Sequence, residues 1–401
     1  MSPLFIFYVY LVCFIKMNIN IFGSTGIIGS KSLAIVKKYY PDIKVNLLVA
    51  NTSHLKLISQ TIRYKPKFIS IKNEDNIQLI RKKINNLGTK IIKYDQINVY
   101  LKSTKSHYTI LSISGYHALY FLENIALNTR FLGLVNKECV VSAGHLFKKF
   151  YKKNSNFKIY PLDSEHFSLN INLKNLAIND YKNIFITASG GPFFSNKNIN
   201  LKTIKFKDAI KHPKWKMGYK NSIDSATLAN KCLELIEAHY LFSIPFSKLK
   251  ILIHPESLVH SIVEYSDLTS NLNSFYPDMF IPIFNFFDKN HITKSEIIKV
   301  KKFNFSNVKS LNFFEVDDNQ FPVYKIFKKL NKHSPADLIK FNCANQFAVD
   351  LFKDSKIEYD QIPFFINKAM KIKSIYPVNN IKNIIKFQNV FNKKLILQYE
   401  D

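Results

Sequence analysis

The sequence predicts an α/β protein in three parts. Short apolar runs alternate with helical patterns from residue 18 to about 160, which argues a parallel sheet. From about 160, strands gather around one long helical segment, which argues an α+β domain with its own sheet. Past a polar, Lys-rich stretch the periodicity becomes helical, which argues a small C-terminal helical domain. The boundaries expected are an extension at 1–16, a first domain at 17–160, a second at 161–288, a linker at 289–311 and a helical domain at 312–401.

The elements follow in order. "MSPLFIFYVYLVCFIK" is apolar and aromatic, but shorter than the ~20 residues that span a bilayer. It lacks the charged start and small-residue cleavage site of a signal peptide. It reads as an upstream extension of a chain that could open at Met17. "NINIF" is a strand entering a glycine loop, "KSLAIVKKYY" a helix and "KVNLLVA" a second strand; "KFISI", "YTILSIS" and "RFLGLV" continue the series. "FKIYPLD", "NIFITAS", "KILIHPE" and "VHSIVEY" read as strands of the second sheet, with a long helix from Asp224 among them. "FPVYKIFKKLNK", "PADLIKFNCANQFAVDLFK" and "IPFFINKAMKI" supply the C-terminal helices.

Composition narrows the function classes. The net charge is +28, from 57 basic and 29 acidic side chains. The lysines are scattered in ones and twos, with no Arg-rich block, zinc finger or RNP-like aromatic motif, which argues against nucleic acid as the partner. A positive field of this kind attracts phosphorylated small molecules and dinucleotides. Cys13, Cys139, Cys232 and Cys343 have no metal-ligand or CxxC spacing, and nothing implies a disulfide framework.

"GSTGIIGS" (Gly23–Ser30) follows a strand and opens a helix. Glycine there permits a tight turn and close approach of backbone to pyrophosphate, and the helix N-terminus offers free N–H groups to the anion. A Rossmann-type domain is therefore expected. A site for NAD usually places Asp or Glu at the end of the second strand, on the ribose 2′-hydroxyl. Here that strand ends in Asn51, Thr52 and Ser53, which tolerate a 2′-phosphate and favour NADP.

Three carboxylates stand out. Asp163 and Glu165 in "LDSEH" are two apart, so in extended chain both point to one side. On the helix from Asp224, the stripe Leu228, Cys232, Leu235 and His239 marks a buried face, and Asn230, Lys231 and Glu234 share a polar one. A solvated Lys231–Glu234 pair is the plain alternative. Asp163, Glu165 and Glu234 together would form a hard, all-oxygen set suited to Mg²⁺ or Mn²⁺ and not to zinc.

Seven motifs then resemble one family in order and separation: "GSTGIIG", "NKE" (Asn136–Glu138), "DSEH", "SGGPF" (Ser189–Phe193), "HPKWKMG" (His212–Gly218), "SIDSATLANKCLELIEA" and "HPESLVHSIVEY". The chain resembles 1-deoxy-D-xylulose 5-phosphate reductoisomerases, well from Met17 to about 290 and more loosely in the tail. The resemblance implies an NADPH-dependent enzyme of the non-mevalonate isoprenoid pathway. Such an enzyme rearranges the carbon skeleton of 1-deoxy-D-xylulose 5-phosphate and reduces the product to 2-C-methyl-D-erythritol 4-phosphate. It implies Asp163, Glu165 and Glu234 as ligands of Mg²⁺ or Mn²⁺. It implies Ser189, Ser222, Asn230 and Lys231 on the substrate phosphate with His212 nearby, and Lys137 and Ser164 on the sugar. Lys137, Glu165 and Glu234 are the expected catalytic residues. Thr25, Gly26, Ile27, Ile28, Asn51, Thr52, Ser53, Asn136, Glu138 and Gly218 would line the dinucleotide site.

The family is homodimeric, so a homodimer is expected, with no membrane partner. A bacterial-type cytoplasmic location is expected, with a plastid left open. "HPKWKMG", which holds the lone Trp215, is expected to cover the substrate. The sequence departs from the family's habit at Ile27, at "ANTS" and at Cys139, but at none of the metal positions. The rival readings are a related NADP-dependent dehydrogenase acting on another phosphorylated substrate, and a basic binding protein that has kept the fold. The first would not need the three carboxylates; the second should have lost charge at the metal or phosphate positions.

Overall fold

The computed structural model describes residues 17–174, 176–196, 199–211, 218–288, 304–373 and 376–400. The extension at 1–16, most of the expected linker, His212 and Trp215 lie outside the described residues.

The first sheet has seven strands, all paired in parallel: β1 (Asn18–Phe22), β2 (Lys44–Ala50), β3 (Phe68–Ile71), β4 (Lys90–Ile91), β5 (Ser106–Leu111), β6 (Thr129–Leu134) and β7 (Lys158–Pro161). Their spatial order is β4-β3-β2-β1-β5-β6-β7. The chain winds outward from β1 to β4, then returns to lay β5 on the other side of β1. That reversal opens a crevice at the carboxyl ends of β1 and β5, where ligands bind in open α/β sheets. The central strands are apolar on both faces (Ile19, Ile21 and Phe22; Leu47, Leu48 and Val49), because helices cover both sides.

The second sheet comprises β8 (Tyr181–Ala188), β9 (Leu249–Ile253), β10 (Val259–Tyr265) and β11 (Ser270–Ser274), in the order β11-β10-β8-β9. β8 and β9 are parallel; β10 runs antiparallel to both β8 and β11. Helix Ser164–Asn172 packs on β10 and β11, and helix Ala229–Phe242 packs against β8 and β9. Each of these helices carries part of the carboxylate set.

Several expectations change. "FKIYPLD" is not in the second sheet: its core is β7, bonded to β6 from Phe131↔Lys158 to Leu134↔Pro161. The expected boundary at 160 therefore falls inside a strand. Helix Phe280–Asp288, counted with the second domain, lays its aromatic face on the first: Phe284 and Phe287 pack on Tyr40, and Phe286 on Tyr108. The single helix expected from Asp224 is two helices, Tyr219–Ala226 and Ala229–Phe242. Leu228 between them has φ 65°, a left-handed conformation that costs an L-residue about 1–2 kcal/mol. Such strain persists only where the surroundings dictate it, and it tends to mark functional sites.

The tail forms helices Pro322–Lys328, Pro335–Lys353, Ile362–Met370 and Ile381–Glu400. The last was not anticipated. Ser334 caps the longest apolar run by accepting from Asp337 N, and Pro335 takes the first turn, where its missing N–H is harmless. Buried amides tie the tail to the centre: Asn345 Nδ2 donates to Asp224 Oδ1 (2.8 Å), and Gln388 Nε2 donates to Ser142 Oγ (2.9 Å). No helix among the described residues is long and apolar enough to cross a membrane. Cys139, Cys232 and Cys343 are buried free thiols.

Candidate active site

The glycine loop closes β1. Gly23, at φ 83°, donates from its N–H to Val49 O, and a Cβ there would lie 2.7 Å from Ser112 O. At Gly29 a Cβ would lie 2.4 Å from Gly23 O and 2.6 Å from Ser24 Cα. Both positions therefore require glycine, and the loop wraps tightly onto the start of helix Ile27–Tyr39. That helix has no side-chain cap and no acidic residue in its first turn, so its free N–H groups face an anion unopposed. Ile27 is exposed beside them. Asn51, Thr52 and Ser53 are exposed at the end of the neighbouring strand β2.

Asn136 caps helix Lys137–Ala143 by accepting from Cys139 N, and its amide donates to Gly115 O (2.8 Å) and to Ile113 O. This fixes the loop after β5 against the loop after β6 and projects Lys137 over the crevice. Asp163 ends β7. Its own backbone is extended, but the extended chain does not run on to Glu165 as the two-residue spacing suggested: Asp163 is the N-cap of helix Ser164–Asn172, with Oδ1 accepting from Glu165 N (3.2 Å). Glu165 therefore projects from a first helical turn. Glu234 comes from helix Ala229–Phe242.

These elements bring ligand oxygens of Asp163, Glu165 and Glu234 within 4.8 Å of one another. Two ammonium groups lie among them. Lys137 Nζ is 2.6 Å from Asp163 Oδ2 and 2.6 Å from Glu234 Oε1. Lys231 Nζ is 2.5 Å from Glu165 Oε1 and 2.7 Å from Glu234 Oε2. Asn230 Nδ2 adds a bond to Glu234 Oε1 (2.5 Å), and Ser164 Oγ one to Glu165 Oε2 (2.5 Å). The expected polar face is thus not solvated: Lys231 is 6% exposed and Glu234 1%.

Burial opposes every charge here, and the neighbours decide the outcome. Lys137 loses by burial but is held well above the ordinary lysine range by Asp163 and Glu234. Asp163 is held well below the usual carboxylate range, because Lys137 and His166 outweigh its burial. Glu234 is shifted up by burial and by Glu165. Like-charged carboxylates at this separation repel unless a cation or proton lies between them, and here the two ammonium groups do so. Three oxygen donors with no His or Cys among them suit a hard divalent ion, so Mg²⁺ or Mn²⁺ fits the residues present.

The cluster borders a cavity of about 380 Å³. Gly26, Ile27 and Ile28 border it, and so do Ser189, Asn230 and Lys231. The glycines of "SGGPF" follow Ser189 directly. Gly190 (φ 81°) and Gly191 (φ 71°) take a turn closed to other residues, and a Cβ on Gly191 would meet Ala226 Cα at 2.8 Å. A second cavity, of about 530 Å³, adjoins the first and shares Lys137, Asn221 and Gly218 with it. Asn136, Glu138 and Gly218 border it, together with Asn342 and Gln388 of the tail.

Ser222 needs a correction. It is 1% exposed, borders neither cavity, and donates to Gly218 O (3.3 Å) inside its own helix. Ser225, one helical turn on, borders the catalytic cavity instead. Residue spacing did not single out Ser225, although the quoted motif contained it. Thr187, Ser257 and His260 were missed in the same way and border the same cavity. His260 is stacked on Phe275 at 4.0 Å, and burial lowers its pKa. Thr25, Asn51, Thr52 and Ser53 border neither cavity and lie at the open end of the crevice.

Comparison with known proteins decides the family. Residues 19–144 match the family model for 1-deoxy-D-xylulose 5-phosphate reductoisomerase, 159–242 that enzyme's C-terminal domain, and 276–393 the DXP reductoisomerase C-terminal domain. The chain belongs to the 1-deoxy-D-xylulose 5-phosphate reductoisomerase family. The reductoisomerase of Pelagibacter ubique is 36% identical over 385 residues, covering 93% of this chain and 96% of that one. The reductoisomerase of Persephonella marina is 36% identical over 355 residues, covering 88% and 90%. Among solved structures, the reductoisomerase of Zymomonas mobilis in complex with NADPH aligns with TM-score 0.86 at 27% identity, over 96% of this chain and 100% of that one. A reductoisomerase in complex with NADPH, fosmidomycin and magnesium aligns with TM-score 0.84 at 28% identity, over 96% and 98%.

Proposed function

We propose that this chain converts 1-deoxy-D-xylulose 5-phosphate to 2-C-methyl-D-erythritol 4-phosphate with NADPH and Mg²⁺ or Mn²⁺. One observation carries the reading: Asp163, Glu165 and Glu234 converge in a cavity that the glycine loop also borders. A cation there supplies Lewis-acid polarisation of the substrate ketone and its neighbouring hydroxyl.

The chain's own residues do the rest. Lys231, Asn230, Ser189 and Ser225 border the cavity and suit the phosphate, with Lys231 supplying the charge. Lys137 and Ser164 stand beside the carboxylates, where the sugar hydroxyls would lie. Gly26 to Ile28 suit the pyrophosphate, Asn51 to Ser53 the 2′-phosphate end, and Asn136, Glu138 and Gly218 the nicotinamide half along the adjoining cavity. Homodimerisation is supported by β11, which pairs only with β10 among the described strands and leaves Leu272 exposed, as Leu268 is in the turn before it. Membership of a family with bacterial relatives supports a bacterial-type cytoplasmic setting.

The test is to mix purified protein, NADPH, Mn²⁺ and the substrate and follow NADPH absorbance. Substrate-dependent oxidation is expected, abolished by a chelator and restored by Mg²⁺ or Mn²⁺. Undiminished turnover after exhaustive chelation, or no oxidation at all, would sink the reading.

A further inference from the structure

Glu237 is a buried carboxylate that the reading above does not use. It sits one helical turn beyond Glu234, is 3% exposed, and borders neither cavity. Substrate cannot touch it. No hydrogen bond reaches its Oε2. A carboxylate kept in such a place needs a partner.

The partner is His166, which is 0% exposed in the first turn of helix Ser164–Asn172. Its Nε2 lies 2.9 Å from Glu234 O. A carbonyl only accepts, so Nε2 carries a proton. Its Nδ1 faces two carboxylates, Asp163 Oδ1 at 3.4 Å and Glu237 Oε2 at 3.6 Å. Nδ1 makes no hydrogen bond of its own, so the two carboxylates face it at ion-pair distance. Phe242 lies face-on to the ring, at 6.4 Å and 19°. The imidazole thus bridges the helix that Asp163 caps and the helix that carries Glu234. Among the described residues, Asp163 and Glu237 are the carboxylates that face Nδ1 and hold the ring in that orientation.

We propose that Glu237 and His166 form a positioning pair for the metal carboxylates: Glu237 orients the imidazole, and the imidazole fixes Asp163 and the Glu234 backbone in common register. Neither residue touches the metal or substrate in this role. The proposal rests on the reading of Asp163, Glu165 and Glu234 as a divalent-cation site. Groups behind metal ligands typically change affinity by about 10–100-fold when removed.

The experiment titrates Mn²⁺ into the full chain without substrate, reading free Mn²⁺ by electron paramagnetic resonance and folding by melting temperature. Wild type should bind Mn²⁺ saturably, and Glu165→Gln should lose that binding. Glu237→Gln, which keeps the shape and removes the charge, should weaken Mn²⁺ binding about 10-fold. His166→Gln tests the same link from its other end if Glu237→Gln does not fold. The double variant should be no weaker than the worse single, because both act through one contact. Wild-type affinity in a folded Glu237→Gln, with only the melting temperature lowered, would make the pair a core ion pair and overturn the proposal. So would losses that add in the double variant. Absence of saturable binding in wild type would instead overturn the cation site itself, and the proposal with it.

Discussion

Replacing Lys231 with methionine keeps the length and apolar stem of the side chain and removes its charge. In the fold that charge lies between Glu165 Oε1 (2.5 Å) and Glu234 Oε2 (2.7 Å), with the lysine side chain 7% exposed and that of Glu234 1%. Its loss leaves Glu165 without its ammonium and with little access to water, while Glu234 keeps Lys137 Nζ at 2.6 Å. Breaking a buried pair from one side costs about 3–5 kcal/mol, since the orphaned charge loses its partner and regains no solvent. Melting entropy is about 2.1 cal/mol/K per residue, hence about 0.8 kcal/mol/K for a chain of 401 residues unfolding as one unit. The expected fall in Tm is therefore about 4–6 °C. The ammonium and a divalent cation compete for the same oxygens. Mn²⁺ at 100 times its Kd adds about 2.7 kcal/mol to wild type, or about 3 °C. The Lys231→Met variant should gain more than wild type at equal Mn²⁺, because no ammonium has to be displaced. Differential scanning calorimetry with and without Mn²⁺ measures both shifts. An unchanged Tm without metal, or a metal shift no larger than that of wild type, would refute the reasoning.

Other outcomes follow from the same geometry. Gly29→Ala puts a methyl 2.4 Å from Gly23 O, so calorimetric titration should show NADPH binding lost and stability reduced by about 1–3 kcal/mol. Thr52→Asp brings a negative charge to the end of β2, and the ratio of kcat/KM for NADPH over NADH should fall about 10-fold, equivalent to about 1.4 kcal/mol. Ser225→Ala should raise the KM for the sugar phosphate about 10-fold by removing a hydrogen bond to a charged group, and leave the KM for NADPH alone. Ser222→Ala, whose hydroxyl serves only its own helix, should leave both KM values near wild type; the reverse pattern in steady-state kinetics would restore Ser222 to the phosphate site.

Much of the site was legible because it depends on residue type at fixed local spacing. The glycine loop could be read from three glycines after an apolar strand, since tight turns and close backbone approach are local demands. The identities of Asp163, Glu165 and Glu234 were legible too, although the reason given for the first two was wrong: they meet Glu234 as a helix cap and a first-turn residue, not as neighbours on a strand face. The helix Pro335–Lys353 was bounded correctly because its proline start and its apolar period are both encoded within the segment.

By itself, then, the sequence determined the parallel sheet, the tight glycine turn and the all-oxygen character of the carboxylate cluster. All three follow from side chains acting on their own stretch of backbone. Tertiary structure decided what depends on distant partners. The run "FKIYPLD" carries the same apolar pattern whichever sheet it joins, and only the free edge of β6 assigns it to the first. Ser222 and Ser225 are both serines in one helix, and only the packing of that helix turns Ser225 to the cavity and Ser222 inward. Leu228 takes its left-handed turn because the helices on either side are held elsewhere, and no local preference of leucine would choose it. Glu237 was not singled out by any spacing in the sequence. Burial against His166, which the fold alone supplies, is what makes its charge matter.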